Sequence, residues 1–202
     1  LDRREAIKAR RLEMEFFRKK GVYTKVRRQP WMKVINTKWI DQNKGDSSTS
    51  NYRARLVGRE IKKDKREDFF AATPPLESLK LICSICASHQ DQANPYVLLS
   101  VDVKRAYFYA PAGRPVYIRI PAEDWEEGDE DRVGVLNLSL YGTRDAAQNW
   151  QDVLTEHLEV NGFRRGRVNP CVFYNEAKKI RTVVHGDDYT SVGSPDSLQW
   201  LK

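Results

Sequence analysis

The run Thr182-Val-Val-His-Gly-Asp-Asp-Tyr-Thr-Ser-Val-Gly193 places two adjacent carboxylates, Asp187 and Asp188, at a glycine-led corner between two β-prone segments. Such a pattern predicts an antiparallel hairpin, because short Gly-containing turns match the twist of the strands they join. Neighbouring acids repel each other, and a cation held between them and other ligands relieves the repulsion. A divalent-metal site is therefore the first functional expectation. Gly-Asp and Asp-Asp are also ordinary turn residues, so the corner taken alone leaves both readings open.

A third carboxylate shifts the balance. Val97-Leu-Leu-Ser-Val-Asp102 is an apolar run closed by an acid, and the chain continues through Val103, Lys104, Arg105 and Ala106 to the aromatic Tyr107. An acid ending a buried strand, beside a hairpin with paired acids, is the arrangement of two-metal nucleotidyl transferases. There, two ions roughly 3.5–4 Å apart serve the attacking hydroxyl and the triphosphate with its leaving pyrophosphate. On this reading Asp102 and Asp187 bridge two Mg²⁺ ions, with Mn²⁺ as the alternative metal, and Asp188 is the supporting acid.

The rest of the chain reads as a mixture of helices and strands. Residues 2–20 suggest a helix ending at Gly21, with Ile7, Met14 and Phe17 forming a rough apolar face. Residues 31–61 read as extended: Trp31 to Ile35, Thr37 to Ile40, a polar flexible tip from Asp41 to Asn51, then Tyr52 to Val57. Thr73-Pro-Pro75 starts an apolar helix through about Ser88. Val116 to Ile120 and Val133 to Leu138 are strands flanking the acidic stretch Glu123 to Asp131, expected to be a solvated surface loop. Arg144 to Val160 has helical spacing and closes at Asn161-Gly162, and Cys171 to Tyr174 and Ile180 to Val184 should pair with the strand of the turn.

Charge and cysteine usage narrow the partners. Of the formal net charge of +7, residues 1–70 carry 21 Lys+Arg against 10 Asp+Glu, and residues 71–202 carry 14 against 18. A basic N-terminal part points to a polyanionic partner, whereas pairs such as Arg3-Arg4 or Lys62-Lys63 taken singly are ordinary solvated charges. Cys83 and Cys86 lie on one face of the apolar helix, and without a second pair they read as small buried side chains. His89 and His157 lack partners at metal-ligand spacing. No run approaches the roughly 20 apolar residues of a membrane span, so an intracellular protein with no membrane partner is expected.

Eight segments in order carry a resemblance: Val34-Ile-Asn-Thr-Lys-Trp-Ile40, Tyr52-Arg-Ala-Arg-Leu-Val-Gly58, Phe69-Phe-Ala-Ala-Thr-Pro74, Asp102-Val-Lys-Arg-Ala-Tyr107, Val116-Tyr-Ile-Arg-Ile-Pro121, Leu138-Ser-Leu-Tyr-Gly142, Asn169-Pro-Cys-Val-Phe173 and His185-Gly-Asp-Asp188. Over nearly its whole length the chain resembles the reverse transcriptase domain of copia-type long-terminal-repeat retrotransposons. Two segments depart from that pattern. His185-Gly186 stands where the family generally has Tyr-Val, and Thr143-Arg-Asp-Ala146 follows Tyr141-Gly142 in place of Leu-Lys-Gln.

The resemblance implies an α+β right-hand polymerase. Its fingers would occupy 1–74, with further fingers segments interleaved around 110–150. Its palm, an antiparallel sheet packed on helices, would occupy 75–202. A thumb and a ribonuclease H domain have no counterpart before Lys202. The implied activity is RNA-directed DNA synthesis, with an RNA or DNA template-primer and deoxynucleoside triphosphates as partners, and with integrase and ribonuclease H as further domains of one polyprotein. A cytoplasmic virus-like particle or the nucleus is the implied location. Arg53, Arg55, Val103, Lys104, Arg105, Ala106, Tyr107, Tyr141 and Gly142 would form the nucleotide site. Arg53 and Arg55 share a strand face from which a guanidinium can clamp phosphate oxygens. Tyr107 would pack under the sugar and exclude a 2′-hydroxyl. Gly142 would let backbone approach the ligand closely. A second reading is a decayed element that binds nucleic acid without turnover. A third, an RNA-dependent RNA polymerase, is disfavoured by Tyr107.

Overall fold

A computed structural model describes residues 1–46, 48–61, 71–90 and 93–202. In chain order its elements are α1 (Arg3–Lys20), β1 (Tyr23–Arg27), β2 (Val34–Ile35), β3 (Thr37–Asn43), β4 (Tyr52–Gly58), α2 (Leu76–Ser88), β5 (Val97–Asp102), β6 (Tyr117–Ile118), β7 (Arg132–Leu136), α3 (Ala146–Val160), β8 (Phe163–Arg165), β9 (Val172–Asn175), β10 (Ile180–His185), β11 (Asp188–Gly193) and α4 (Pro195–Leu201). Single 3₁₀ turns lie at Ala106–Tyr109 and Ala122–Asp124. The mixture is α+β. Lys62-Lys63 and Phe69-Phe70 lie outside the described residues. Among those described, no helix is long and apolar enough to cross a membrane.

Two compact units divide the chain: Leu1–Phe69 with Tyr107–Asn149, and Phe70–Ala106 with Trp150–Lys202. In the first, α1 is stopped at both ends by its own sequence. The Asp2 carboxylate accepts from the Arg4 and Glu5 amides at 2.8 and 3.1 Å. Gly21 takes φ +67, and the Val22 amide returns to the Phe17 carbonyl. The buried face is Ala6, Ala9, Glu13, Met14 and Phe17; of the expected Ile7, Met14 and Phe17, only Ile7 is left half-buried. Met14 and Phe17 join Val22, Leu56, Phe108, Ile118 and Leu140 in one core. Each of the large side chains there contributes about 1.5–3 kcal/mol by leaving water.

That unit holds a four-stranded sheet in the order β1-β7-β6-β2 and the separate β3-β4 hairpin. Only Val34 and Ile35 of the expected Trp31–Ile35 strand pair, in parallel with Tyr117 and Ile118, while Trp31 stays exposed against the edge of the Tyr117 ring. The hairpin runs in register from Thr37↔Gly58 to Asn43↔Tyr52. Among the described residues of its tip, the Asn43 side-chain oxygen accepts from the Gly45 and Asn51 amides at 3.0 and 2.9 Å.

The acidic stretch 123–131 is a solvated loop only in part: Trp125 to Gly128, Glu130 and Asp131 are exposed, but two of its acids are not. Asp124 and Asp129 are only 4% and 5% exposed. Arg18 donates to Asp124 at 2.6 Å, the Tyr23 hydroxyl donates to its other oxygen, and Lys25 donates to Asp129 at 2.6 Å. Arg10 bridges Asp41 at 2.6 Å and Glu123 at 3.0 Å, joining α1 to β3 and to the acidic stretch. Buried carboxylates persist where each is paired and hydrogen-bonded. Their cations come from α1 and β1, more than 100 positions away in sequence, and local composition gives no hint of them.

The second unit is built on an entirely antiparallel sheet in the order β5-β11-β10-β9-β8. Ile82 of α2 packs on Val183 and Val192 from that sheet. Thr182 and Ser191 face each other across the β10-β11 pair with their hydroxyls 2.8 Å apart, so both polar groups are satisfied inside the core. The expectation for the cysteines is corrected here. Cys83 is exposed and Cys86 half-buried, because Ile82 is the one fully buried residue of α2; Cys171, on the sheet side, is buried. His89 stacks on Tyr96, with ring centroids 4.4 Å apart.

Candidate active site

Residues expected to act together fall in both units, and each set is built locally. In the second unit the β10-β11 turn is Gly186-Asp187, closed by the pair His185↔Asp188. Gly186 takes φ +66 and Asp187 has no positive φ, the signature of a type II′ turn, which requires glycine first. The Trp150 indole N–H donates to the Gly186 carbonyl at 2.8 Å and anchors the corner.

Strand β11 pairs on its other side with β5, and the register puts Asp188 opposite Asp102. The Val103 amide donates to the Asp187 carbonyl at 2.9 Å. Antiparallel ladders alternate, so Asp102 and Asp188 occupy a non-hydrogen-bonded pair, where Cα atoms approach to about 4.5 Å and side chains come closest. Both project from one face. Asp102 and Asp188 are exposed, and Asp187 at the corner is half-buried. None of the three forms an ion pair with a described residue.

Opposed like charges are unfavourable in a sheet. Here they sit at its open end, where hard carboxylate oxygens are the donor type that Mg²⁺ or Mn²⁺ takes. Among the described residues, no three His, Cys, Asp or Glu side chains form a ready-made metal cage. The paired acids are thus Asp102 and Asp188, with Asp187 beside them in the turn. Beyond Asp102 the chain bends through Val103 and Lys104. Arg105 takes φ +58, an uncommon conformation for a residue with a Cβ and one that clusters at functional sites. Ala106 follows, fully buried.

In the first unit, Arg53 and Arg55 are exposed on one face of β4, opposite Gln42 and Ile40. The Arg55 guanidinium lies 4.3 Å over the Tyr141 ring, and Tyr141 stacks on Tyr107 with centroids 4.3 Å apart and planes at 26°. Phe108 meets Tyr141 edge-on at 5.7 Å and is itself core. The Tyr141-Gly142 loop is bound to β4 through its backbone, with the Gly58 amide donating to the Tyr141 carbonyl at 2.7 Å.

Gly142 has a reason that the sequence does not disclose. It takes φ +82, and a Cβ there would lie 2.2 Å from the Gly58 carbonyl oxygen. The close approach it permits is to strand β4. Sequence reasoning also misses Glu60, which accepts from Arg114 at 2.6 Å and from the Arg144 amide at 2.9 Å and so closes the far side of the loop. A pair 54 positions apart leaves no local signal. Trp150 reads from the sequence only as an apolar helix position, and its role at the turn depends on a carbonyl 36 residues away.

Comparison with known proteins gives this arrangement a family. A retrovirus-related Pol polyprotein from transposon TNT 1-94 of Nicotiana tabacum is 26% identical over 205 residues, an alignment covering 98% of this chain. The chain spans 15% of that relative's length. The family described as reverse transcriptase (RNA-dependent DNA polymerase) matches residues 20–197, which include both sets of candidate residues, and the chain belongs to that family.

Proposed function

We propose that the chain is the RNA-directed DNA polymerase domain of a copia-type retroelement, extending a primer 3′-hydroxyl with deoxynucleotides. The observation that carries this reading is the Asp102–Asp188 cross-strand pair beside Asp187, at the open end of the sheet of a reverse transcriptase family member. Mg²⁺ in nucleotidyl-transfer sites is held by one or two carboxylates together with substrate phosphates, so an open acidic pair suits it better than a closed cage would. When bound, such ions stabilise charge on the attacking and leaving oxygens.

The chain's own residues then have distinct duties. Asp102, Asp187 and Asp188 supply the hard anionic donors. Arg55, with Arg53 two residues nearer the hairpin tip, offers donors to triphosphate oxygens. Tyr107 presents a ring on which a deoxyribose can rest and against which a 2′-hydroxyl clashes. Val103 to Ala106 form the bend between the acid and that ring. In this reading the first unit serves as fingers and the second as palm. Exposed cations of α1, among them Arg3, Arg4 and Arg11, contribute the electrostatic attraction to template-primer. Integrase and ribonuclease H would reside elsewhere in the polyprotein, and the assembly would work in a cytoplasmic particle or the nucleus.

Primer extension on a primed RNA template tests the reading. Incorporation of deoxynucleotides over ribonucleotides in Mg²⁺ is expected, with a loss of about 100-fold or more in Asp102→Asn, the scale of several kcal/mol of lost charge stabilisation. Salt-dependent template binding with no incorporation in Mg²⁺ or Mn²⁺ would instead favour the decayed, binding-only element. Extension untouched by Asp102→Asn would refute the assignment of the acids.

A further inference from the structure

We propose that Tyr141 is a positioning residue that couples the triphosphate arginine, Arg55, to the sugar-facing ring of Tyr107, so that nucleotide affinity and sugar discrimination rise and fall together. The proposal rests on the polymerase reading for the roles of Arg55 and Tyr107, and on the geometry of the first unit for the coupling itself.

Three side chains from separated parts of the chain form one cluster. The Arg55 guanidinium lies over the Tyr141 ring at 4.3 Å, and the Tyr107 ring stacks on it at 4.3 Å. A guanidinium over a ring and an offset ring stack are both attractive, through the ring quadrupole. The Tyr141 ring is the shared partner. It has few ways to relax, because Phe108 abuts it edge-on at 89° and is anchored in the core by Phe17, 5.0 Å away.

The backbone on either side of Tyr141 is equally constrained. The Gly58 amide holds the Tyr141 carbonyl, the Glu60 amide reaches the Gly142 carbonyl at 3.4 Å, and the Thr143 hydroxyl donates to the Leu140 carbonyl at 2.8 Å. Strand β4 therefore carries Arg55 and also fixes the loop bearing the ring on which Arg55 rests. Held in this way, the Tyr141 ring fixes where Arg55 and Tyr107 sit relative to each other, so the loss of the ring frees both at once. An aliphatic residue at 141 would fill part of the volume but present no π face to either neighbour.

The test uses the full chain on a primed template ending in a dideoxynucleotide, so that binding is read without chemistry, with dATP and ATP as probes opposite a template thymine. Tyr141→Leu is expected to weaken dATP binding and to shrink the dATP-over-ATP preference by about tenfold each, the scale of one ring interaction removed for each neighbour. Tyr141→Phe should recover most of both losses. A drop in affinity with the preference intact would overturn the coupling.

A ligand-free cycle separates this proposal from the function on which it rests. Denaturation midpoints of Arg55→Ala, Tyr107→Leu and the double variant should be non-additive with Tyr141 present and additive in the Tyr141→Leu background. If the parent binds no nucleotide, the polymerase reading falls while this cycle still decides the coupling. Additive losses in the parent background, or non-additivity that survives Tyr141→Leu, would contradict it.

Discussion

The two units handle charge in opposite ways. In the first, cations and acids are matched: Arg10 with Asp41 and Glu123, Arg18 with Asp124, Lys25 with Asp129, and Arg114 with Glu60 and Asp145 at 2.6 and 3.1 Å. Matched charges lock α1, the acidic stretch and the strands together. In the second, two carboxylates oppose each other across a strand pair at an exposed end, with no ion-pairing cation among the described residues. Complementary pairs of this kind serve the fold. An uncompensated like pair costs stability, and a protein retains one where a ligand supplies the missing charge.

Perturbing the close contacts of the first unit should have the largest consequence. Gly142→Ala combines a positive φ with a carbonyl oxygen 2.2 Å from the new Cβ, so a loss of about 3 kcal/mol in a denaturant titration is expected. A Gly142→Ala variant of parental stability would mean that the loop is not held against β4. Next comes Asp124→Asn, which removes the anionic partner shared by Arg18 and the Tyr23 hydroxyl. It should lower stability by about 2 kcal/mol.

The opposite sign is expected at the acidic end of the sheet. Asp102→Asn removes a like-charge opposition and should stabilise the ligand-free chain by about 0.2–1 kcal/mol while abolishing incorporation. Stability that falls together with activity would erase the contrast between the units. The smallest effect is confined to acid. The Lys25 hydrogen bond, opposed by burial, holds the Asp129 carboxyl below its ordinary value of 3.8. The stability this contributes is complete above pH about 4 and is lost as pH falls through the depressed folded-state value. Asp129→Asn should therefore flatten the acid limb of a stability–pH curve, and an unchanged limb would show that the contact is not maintained in solution.

Much of the fold is legible because its signals are local. Asp2 and Gly21 bound α1, alternation marks β3 and β4, and Gly186 marks the turn between β10 and β11. The unread parts depend on partners far along the chain. Strand β1, Tyr-Thr-Lys-Val-Arg, has two cations in five residues and pairs with Arg132–Leu136, more than 100 positions away. Asp124 and Asp129 read as solvated because their cations are equally distant. Cys83 reads as buried because α2 is apolar around most of its circumference, and composition does not say which face meets the sheet.

The candidate site divides in the same manner. The three acids stand out as residue types at the ends of apolar runs, whereas the choice of Asp188 as the residue facing Asp102 emerges only from strand register. Resemblance singles out Arg55, Tyr107 and Tyr141 one by one, but their stacking is a tertiary fact. The close approach at Gly142 is expected toward a ligand and is made instead to Gly58.

The claim that the Asp102–Asp188 pair waits for a cation is tested most directly by titrating Mg²⁺ into the nucleotide-free chain and following its denaturation midpoint. A ligand that binds the native state raises the midpoint progressively with concentration. The account predicts such a rise in the parent, a much weaker one in Asp102→Asn and in Asp188→Asn, and no comparable change when Asp124 is replaced. Equal Mg²⁺ responses in the parent and both sheet-end variants would contradict it.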